Sequence, residues 1–414
     1  MLVQYAVENY KSIKEEVILN FRADKKYSDS EWVIEPENSS ISLYKCIGLL
    51  GPNASGKSNI LESMHFAFRF ILNTINRKAS SQINRIPFAF GNDMQERPSV
   101  FEFIFYQQGI KYIYGFSIDN QEVQEEYLLG YYSVKPKTLF ERSKGQNYEF
   151  KGNDVKSQKE IAKKTNPNRL YMPVAAEWGY EPLKVVYQWF EFQTRQSLEW
   201  EFGVDSVSNM IHEIVKDRKS KKVFIEELQK ADFNIIDVYV LKKKLSPRSQ
   251  DFLEKMLKEL VGDIMDVPVP EDKLEIRVVH ENQNGERFDI ALKEDSAGTE
   301  RILESVSEFL YICQHGGLML EDELGKSYHT MLTQHFLQMV KSSSINSGNA
   351  QLFFTTHQTK VLKMLNPDQV YLVDKDETGA TVVKLLDDYV IRENDNIELG
   401  YLKGRYGSVP YMRG

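Results

Sequence analysis

The sequence GPNASGKS at positions 51–58 decides the fold. It follows the apolar run CIGLL at 46–50 and precedes the helix-patterned NILESM at 59–64. A strand, a glycine-rich loop and a helix in this order form a phosphate-binding loop, because backbone N–H groups and the helix N-terminus face the phosphates. Lys57 then reaches the β- and γ-phosphates, and the Ser58 hydroxyl ligates Mg²⁺. We therefore predict that the chain binds ATP or GTP with Mg²⁺, through Gly51, Asn53, Ala54, Ser55, Gly56, Lys57, Ser58 and Asn59.

The composition is that of an ordinary globular protein with material for two or three domains. Of its 414 residues 42% are hydrophobic and 27% are charged, and its formal net charge is −8. This acidic balance argues against a protein whose main task is to coat nucleic acid. The two cysteines, Cys46 and Cys313, lie in apolar runs, which favours buried thiols in a reducing compartment. Without an 18-residue apolar stretch or a signal-peptide core, the chain is expected to be cytoplasmic and not attached to a membrane.

The hydrophobic patterns predict an α/β fold in three parts. The first part, 1–153, combines the phosphate-binding loop and its helix with an antiparallel sheet, whose strands are indicated at 100–105, 111–116 and 126–129. The second part, 154–262, shows helical periodicity and dense charge, and is too short for coiled-coil arms. Its basic runs, DRKSKK at 217–222 and KKK at 242–244, favour a solvated helix face over a nucleic-acid contact. The third part, 263–414, returns to alternating strands and helices.

Three motifs in the third part complete a nucleotide site. The sequence SAGTE at 296–300 opens a helix, where Ser296 can cap and the exposed N–H groups can bind an anion. The strand at 317–320 ends in Glu321, Asp322 and Glu323. We predict that Asp322 holds Mg²⁺ and Glu323 polarises the attacking water, while strand alternation turns Glu321 away. The next strand ends at His357, which is predicted to contact the γ-phosphate as a neutral donor.

The order GPNASGKS, SAGTE, LMLEDE and TTHQ resembles the ATP-binding-cassette head shared by RecF and the structural-maintenance ATPases. The chain is more similar to the compact RloA-like ATPases of bacterial phage-defence operons, which are related to the ATPase subunit of the PARIS system. NYKSI at 9–13, ADFNI at 231–235 and YLKGRYGSVP at 401–410 carry this resemblance, the last most specifically. It implies an ABC-type head with an inserted helical lobe and no long coiled coil. It also implies that Ser296, Gly298 and Thr299 form the signature loop and that His357 is the switch histidine.

Two features depart from the family pattern. Leu324-Gly325-Lys326 follows the acidic pair where such families continue with an acidic or Asn residue and a Ser-Leu-His-Pro-like string. The glutamine that usually senses Mg²⁺ is also hard to place, with Gln82 as the candidate. We therefore expect slow hydrolysis, with Lys57, Glu323 and His357 as the catalytic groups.

The resemblance implies a composite site between two copies. In such heads the signature loop of one subunit meets the ATP of the other, so ATP joins a head-to-tail dimer or a higher assembly. The favoured hypothesis is a switch ATPase of an antiphage, abortive-infection type system, which responds to a phage product and controls a separately encoded toxin or nuclease.

Two other functions are considered. A RecF-like repair ATPase would bind DNA through the basic runs and show a steep salt dependence. A self-contained nuclease is rejected, because the sequence after His357 is expected to be too short for a further catalytic domain. Asp374-Lys375-Asp376 is interpreted as a hairpin tip and not as a metal site.

Overall fold

The computed structural model describes residues 1–28, 30–91, 93–151, 154–202, 206–231, 234–248, 250–252, 255, 272–326, 329–392 and 395–409. The contacts divide the chain into two compact units. The first unit comprises Met1–Leu198 and His315–Gly414, and the second comprises Glu199–Gln314. Within the described residues the longest helix has 22 residues, so that part of the chain holds no coiled-coil arm.

The secondary structure follows the predicted alternation of strands and helices. The strands are β1 (Leu2–Glu8), β2 (Val17–Asn20), β3 (Val33–Ile34), β4 (Leu43–Tyr44), β5 (Cys46–Leu50), β6 (Ser99–Gln107), β7 (Ile110–Ile118), β8 (Val123–Tyr131), β9 (Lys137–Ser143), β10 (Asn147–Phe150), β11 (Ile235–Lys244), β12 (Asp272–Glu281), β13 (Arg287–Ala291), β14 (Leu318–Glu321), β15 (Gln351–Thr356), β16 (Val370–Lys375) and β17 (Thr381–Leu385). The helices are α1 (Lys57–Asn73), α2 (Val155–Lys164), α3 (Tyr171–Glu177), α4 (Glu181–Phe202), α5 (Ser206–Lys216), α6 (Arg218–Lys230), α7 (Ala297–His315), α8 (Thr330–Lys341) and α9 (Ile397–Leu402).

The centre of the first unit is a mostly parallel sheet of order β14-β15-β5-β16-β17. Strands β14, β15, β5 and β16 run parallel, and β17 returns antiparallel beside β16. All five residues of β5 are buried, as expected of a central strand covered on both faces. The carboxyl ends of these strands share one edge, where open α/β sheets bind ligands. The phosphate-binding loop, Asp322 and His357 all follow strands at that edge.

A second, antiparallel sheet flanks this core, with the order β10-β9-β8-β7-β6-β1-β2. Burial alternates along β6, so that Phe101, Phe103 and Phe105 point into the core. Trp189 on α4 stacks on Phe105 with ring centroids 4.0 Å apart. A buried amide joins the two sheets, because Gln351 at the start of β15 accepts from the Leu2 N–H and donates to the Leu2 carbonyl. The predicted α/β fold, with a mixed sheet core and a flanking antiparallel sheet, is confirmed.

The second unit contains a three-stranded antiparallel sheet of order β11-β12-β13. Helices α5 and α6 contact β11, and Phe224 and Leu228 of α6 are fully buried. The hairpin of β12 and β13 agrees with the sequence. Strand β11 does not, because the sequence pattern predicts helix there, whereas Ile235–Lys244 is a strand. Its Ile, Val and Tyr side chains favour extended backbone and pair with β12, and this tertiary pairing outweighs the surrounding helical periodicity.

Candidate functional site

The loop between β5 and α1 adopts a conformation that requires its glycines. Gly56 has φ +109°, and a side chain there would collide with Thr381 and would lie 2.8 Å from the Ser12 hydroxyl. A side chain at Gly51 would collide with the Val373 carbonyl. Ala54 also lies in the left-handed region, with φ +62°. The glycines therefore allow the loop to pack closely against Thr381 and Val373 directly before α1.

Lys57 lies folded inside this loop. Its Nζ donates to the carbonyls of Gly51, at 3.0 Å, and Pro52, at 2.8 Å, and the residue is only 5% exposed. Burial lowers the pKa of Lys57, and the charges of Asp322 and Glu323 oppose that shift. The ammonium group therefore occupies the concave side of the loop, where phosphate oxygens are stronger acceptors than the two carbonyls.

The two predicted magnesium ligands are in direct contact. The Ser58 hydroxyl donates to Asp322 Oδ1 over 3.1 Å. Thr355, fully buried at the end of β15, donates to the same carboxylate oxygen over 2.6 Å. A hydroxyl and a carboxylate oxygen are the ligands that Mg²⁺ takes beside phosphates. These residues fit a magnesium triphosphate, with Ser58 and Asp322 as the metal ligands.

Glu323 begins a tight turn directly after Asp322. Its φ is +54°, and its N–H donates to the Thr355 hydroxyl over 2.7 Å. The carboxylate forms an ion pair with Lys326. This pairing, more than any other contact, lowers the pKa of Glu323. The glutamate is therefore ionised, which its predicted role as a base requires.

The end of β15 fixes that turn through side chains that the sequence analysis did not single out. The Gln358 amide donates to the Gly325 carbonyl over 2.8 Å, and the Thr356 hydroxyl donates to the Leu324 carbonyl over 2.7 Å. Within the described residues, the buried Gln358 Oε1 has no hydrogen-bond partner. In the sequence, the two threonines before His357 were the signal that could have indicated such contacts, because a threonine hydroxyl can both donate and accept hydrogen bonds.

His357 lies on the wall of the same cleft, exposed at its mouth. Partial desolvation and then the positive charge of Lys57 lower its pKa. The imidazole is therefore neutral near pH 7, which agrees with the predicted neutral donor.

A second hydrogen-bond network, through Ser12 and Thr381, supports the loop. Asn59 donates its amide to the Ser12 hydroxyl over 2.7 Å, and Ser12 and Thr381 bond over 2.7 Å. Thr381 donates to the Ser55 carbonyl over 3.0 Å. Ser55 itself is buried, so its side chain is not on the cleft wall. Direct nucleotide contacts from the Asn59 and Ser55 side chains stay predictions.

One cleft of about 1340 Å³ lies beside the phosphate-binding loop. Its wall combines the phosphate-binding loop with Glu323, Lys326, His357 and Thr359, and it also includes Lys375, Tyr401, Leu402 and Val409. Gln82 is exposed and is not among the wall residues, so the structure does not support it as the magnesium sensor. Glu321 is not among the wall residues either. Burial, and then Asp322, raise the pKa of Glu321 to about 7.

The predicted signature loop begins α7 in the second unit. Ser296 caps the helix, because its Oγ accepts from the Thr299 N–H over 3.0 Å. Ser296, Ala297 and Gly298 are exposed, and the nearest atom to a side chain built at Gly298 is Ser296 Oγ at 3.6 Å. Thr299 is buried and bonds the Ser296 hydroxyl over 2.9 Å. The loop is a structured helix start with free surface in front of Gly298.

The fold and the cleft define an ABC-type P-loop ATPase. The loop positions phosphates at the edge of a parallel sheet, and the acidic strand end and His357 face the same cleft. None of the helices in the described ranges is long and apolar enough to cross a bilayer.

Comparison with known families agrees with this class. Residues 46–363 match the family described as "AAA domain, putative AbiEii toxin, Type IV TA system". The match covers more than half of the chain, and the chain belongs to this family. Comparison with curated proteins gives no significant match.

Among solved structures, the chain is similar to heads of structural-maintenance proteins. The SMC head domain from Thermotoga maritima has 14% identity and a TM-score of 0.40, with 93% of this chain and 98% of that chain covered. An Smc head bound to the C-winged helix domain of ScpA has 12% identity and a TM-score of 0.40, covering 94% and 98%. A head with an extended coiled coil, bound to the C-terminal domain of ScpA from Pyrococcus furiosus, has 11% identity and a TM-score of 0.40, covering 94% and 97%.

Proposed function

We propose that this chain is the ATP-binding and ATP-hydrolysing switch subunit of an antiphage defence system of the abortive-infection type. ATP is sandwiched between subunits, and its binding and hydrolysis control a separately encoded toxin or nuclease. The observation that carries this proposal is the family match over 46–363, whose description joins an ATPase domain to toxin–antitoxin systems. A phage protein is a suitable trigger for such a switch.

The chemistry of the cleft supports the sandwich. Lys57, Ser58 and Asp322 would hold the triphosphate and its Mg²⁺, and Glu323 and His357, on the wall of the same cleft, would supply a base and a neutral hydrogen-bond donor. Phosphoryl transfer also needs donors on the open side of the terminal phosphate. The exposed 296–298 turn of a second copy offers such donors, namely the backbone N–H groups at the start of α7 and the Ser296 hydroxyl.

Slow turnover suits a switch. Glu323 is paired with Lys326 in this structure, so the base becomes available only after the ion pair opens. Bound Mg²⁺ would neutralise phosphate charge, while the chain itself positions the reacting groups. ATP then stabilises the joined state for as long as hydrolysis is delayed.

Copurification tests the switch. The native chain and Glu323→Gln are each co-expressed with the product of the neighbouring gene and purified with MgATP, with MgADP or without nucleotide. We expect capture of the neighbour to depend on nucleotide, and the Glu323→Gln variant to remain in the MgATP-dependent state. Capture that is the same in all three conditions would contradict the proposal. Tight DNA binding with a steep salt dependence would favour a repair ATPase instead.

A further inference from the structure

The segment 396–409 has no role in the function described so far, yet part of it forms the wall of the nucleotide cleft. Tyr401, Leu402 and Val409 line the cleft together with the phosphate-binding loop and His357. Tyr401 is 6% exposed, while Leu402 is 55% exposed at the cleft. Leu402 thus presents a large apolar side chain to the cleft, on the same wall as the phosphate-binding loop.

This segment is a folded unit. Asn396 caps α9 by accepting from the Leu399 N–H over 3.0 Å. The chain then turns back, and the Tyr401 hydroxyl donates to the Ser408 carbonyl over 2.8 Å. Tyr406 is 1% exposed, and a side chain built at Gly400 would lie 2.9 Å from its ring. Leu402 and Val409 are therefore presented to the cleft by a fixed scaffold.

The same unit is attached to the turn that carries His357. Thr359, two residues after His357, donates its hydroxyl to Glu398 Oε1 over 3.0 Å. Lys363 forms an ion pair with Glu398 Oε2 at 2.7 Å. These two contacts attach the segment to the turn that follows His357.

We propose that the 396–409 segment is an integral part of the ATP site, which shields the terminal phosphate from bulk water and holds the His357 turn in place. Leu402 is the shielding residue, and Glu398 is a positioning residue that acts through Thr359 and Lys363. Excluding water at this point strengthens the electrostatic contacts of Lys57 and the metal with the phosphates. The inference uses ATP binding by a single chain, so it can fail independently of the switch proposal.

Calorimetric titration of the full chain with MgATP and with MgADP tests the shield. Leu402→Glu places a negative charge beside the terminal phosphate, and Leu399→Glu is the matched control, since Leu399 is 46% exposed on the same helix and does not line the cleft. We expect Leu402→Glu to weaken MgATP binding by about tenfold and MgADP binding by less than about threefold. Leu399→Glu should change neither.

Equal weakening of MgATP and MgADP by Leu402→Glu, no weakening of either, or the same effect in Leu399→Glu would each overturn the shield.

Steady-state kinetics test the attachment. Glu398→Gln and Lys363→Gln are each expected to lower kcat several-fold with KM nearly unchanged, and the double variant should lose no more than either alone. A purely structural role would instead lower the thermal midpoint and change KM and kcat together. That result, or full additivity in the double variant, would overturn the positioning role.

Discussion

Two acids at the end of β14, Glu321 and Glu323, differ in their surroundings: one is off the cleft and the other is on its wall. Glu321 lies off the cleft, and burial raises its pKa to about 7. Glu323 lies on the cleft wall, where Lys326 lowers its pKa. Strand β14 ends at Glu321, and Glu323 lies two residues later in a left-handed turn with φ +54°. The pKa values of the two carboxyl groups therefore shift in opposite directions because their surroundings differ.

The different surroundings of Glu321 and Glu323 lead to a kinetic prediction. Glu323→Gln removes the base but keeps the metal ligands, so kcat for ATP should fall by about 100-fold or more while MgATP affinity stays nearly unchanged. Glu321→Gln is the matched control, because glutamine resembles the protonated acid, and it should retain most of the native rate. Single-turnover hydrolysis and equilibrium binding measure both quantities. Native turnover by Glu323→Gln would refute its assignment as the base.

The sequence was sufficient to find the residues that follow a strand in a recognisable motif, such as Lys57, Asp322 and His357. It was not sufficient to find Thr355 or Gln358. Their partners, Asp322 and Gly325, are more than 30 positions away, and only the parallel pairing of β14 with β15 brings them together. Side-chain hydrogen bonds across a sheet leave no local periodicity in the sequence.

At the scale of elements, a buried carboxylate joins β8 to the start of α3. Glu126 accepts from the N–H groups of Tyr171 and Met172 and from the Tyr114 hydroxyl. Arg142 lies 3.6 Å away, and both charged side chains are fully buried. The helix N-terminus and the guanidinium together offset the cost of burying the carboxylate.

Breaking this arrangement should weaken the first unit. Glu126→Leu leaves Arg142 as an uncompensated buried charge, so we expect a loss of about 3–5 kcal/mol in unfolding free energy. Urea unfolding followed by tryptophan fluorescence measures it, since Trp189 lies in the same unit. Glu125→Gln, on the exposed face of β8, is the control and should stay within about 0.5 kcal/mol. An equal loss in both variants would contradict the role given to the buried pair.

The strands of the flanking sheet could be predicted because burial alternates along them, as in β6. Strand β11 could not be predicted, because its C-terminal end carries Lys242, Lys243 and Lys244 and the sequence before it is helical. Pairing with β12 decides its structure, and that pairing depends on residues 28 to 45 positions further along the chain.

At the scale of the whole molecule, the two surfaces proposed to bind one nucleotide lie on different units. The cleft belongs to the first unit and the exposed 296–298 turn to the second. The proposal that one copy's turn completes the other copy's cleft makes ATP binding the event that joins two copies. It also predicts that neither surface is sufficient alone.

Mixing two inactive variants tests this claim most directly. Lys57→Ala disables the phosphate-binding loop, and Gly298→Asp places an acid where the terminal phosphate must dock, so each pure variant should be inactive. If ATP is shared between copies, a mixed dimer regains one intact site, and an equal mixture should recover about a quarter of the native ATPase rate. If each chain completes its own site, the mixture stays as inactive as its components, and the shared-site account is contradicted.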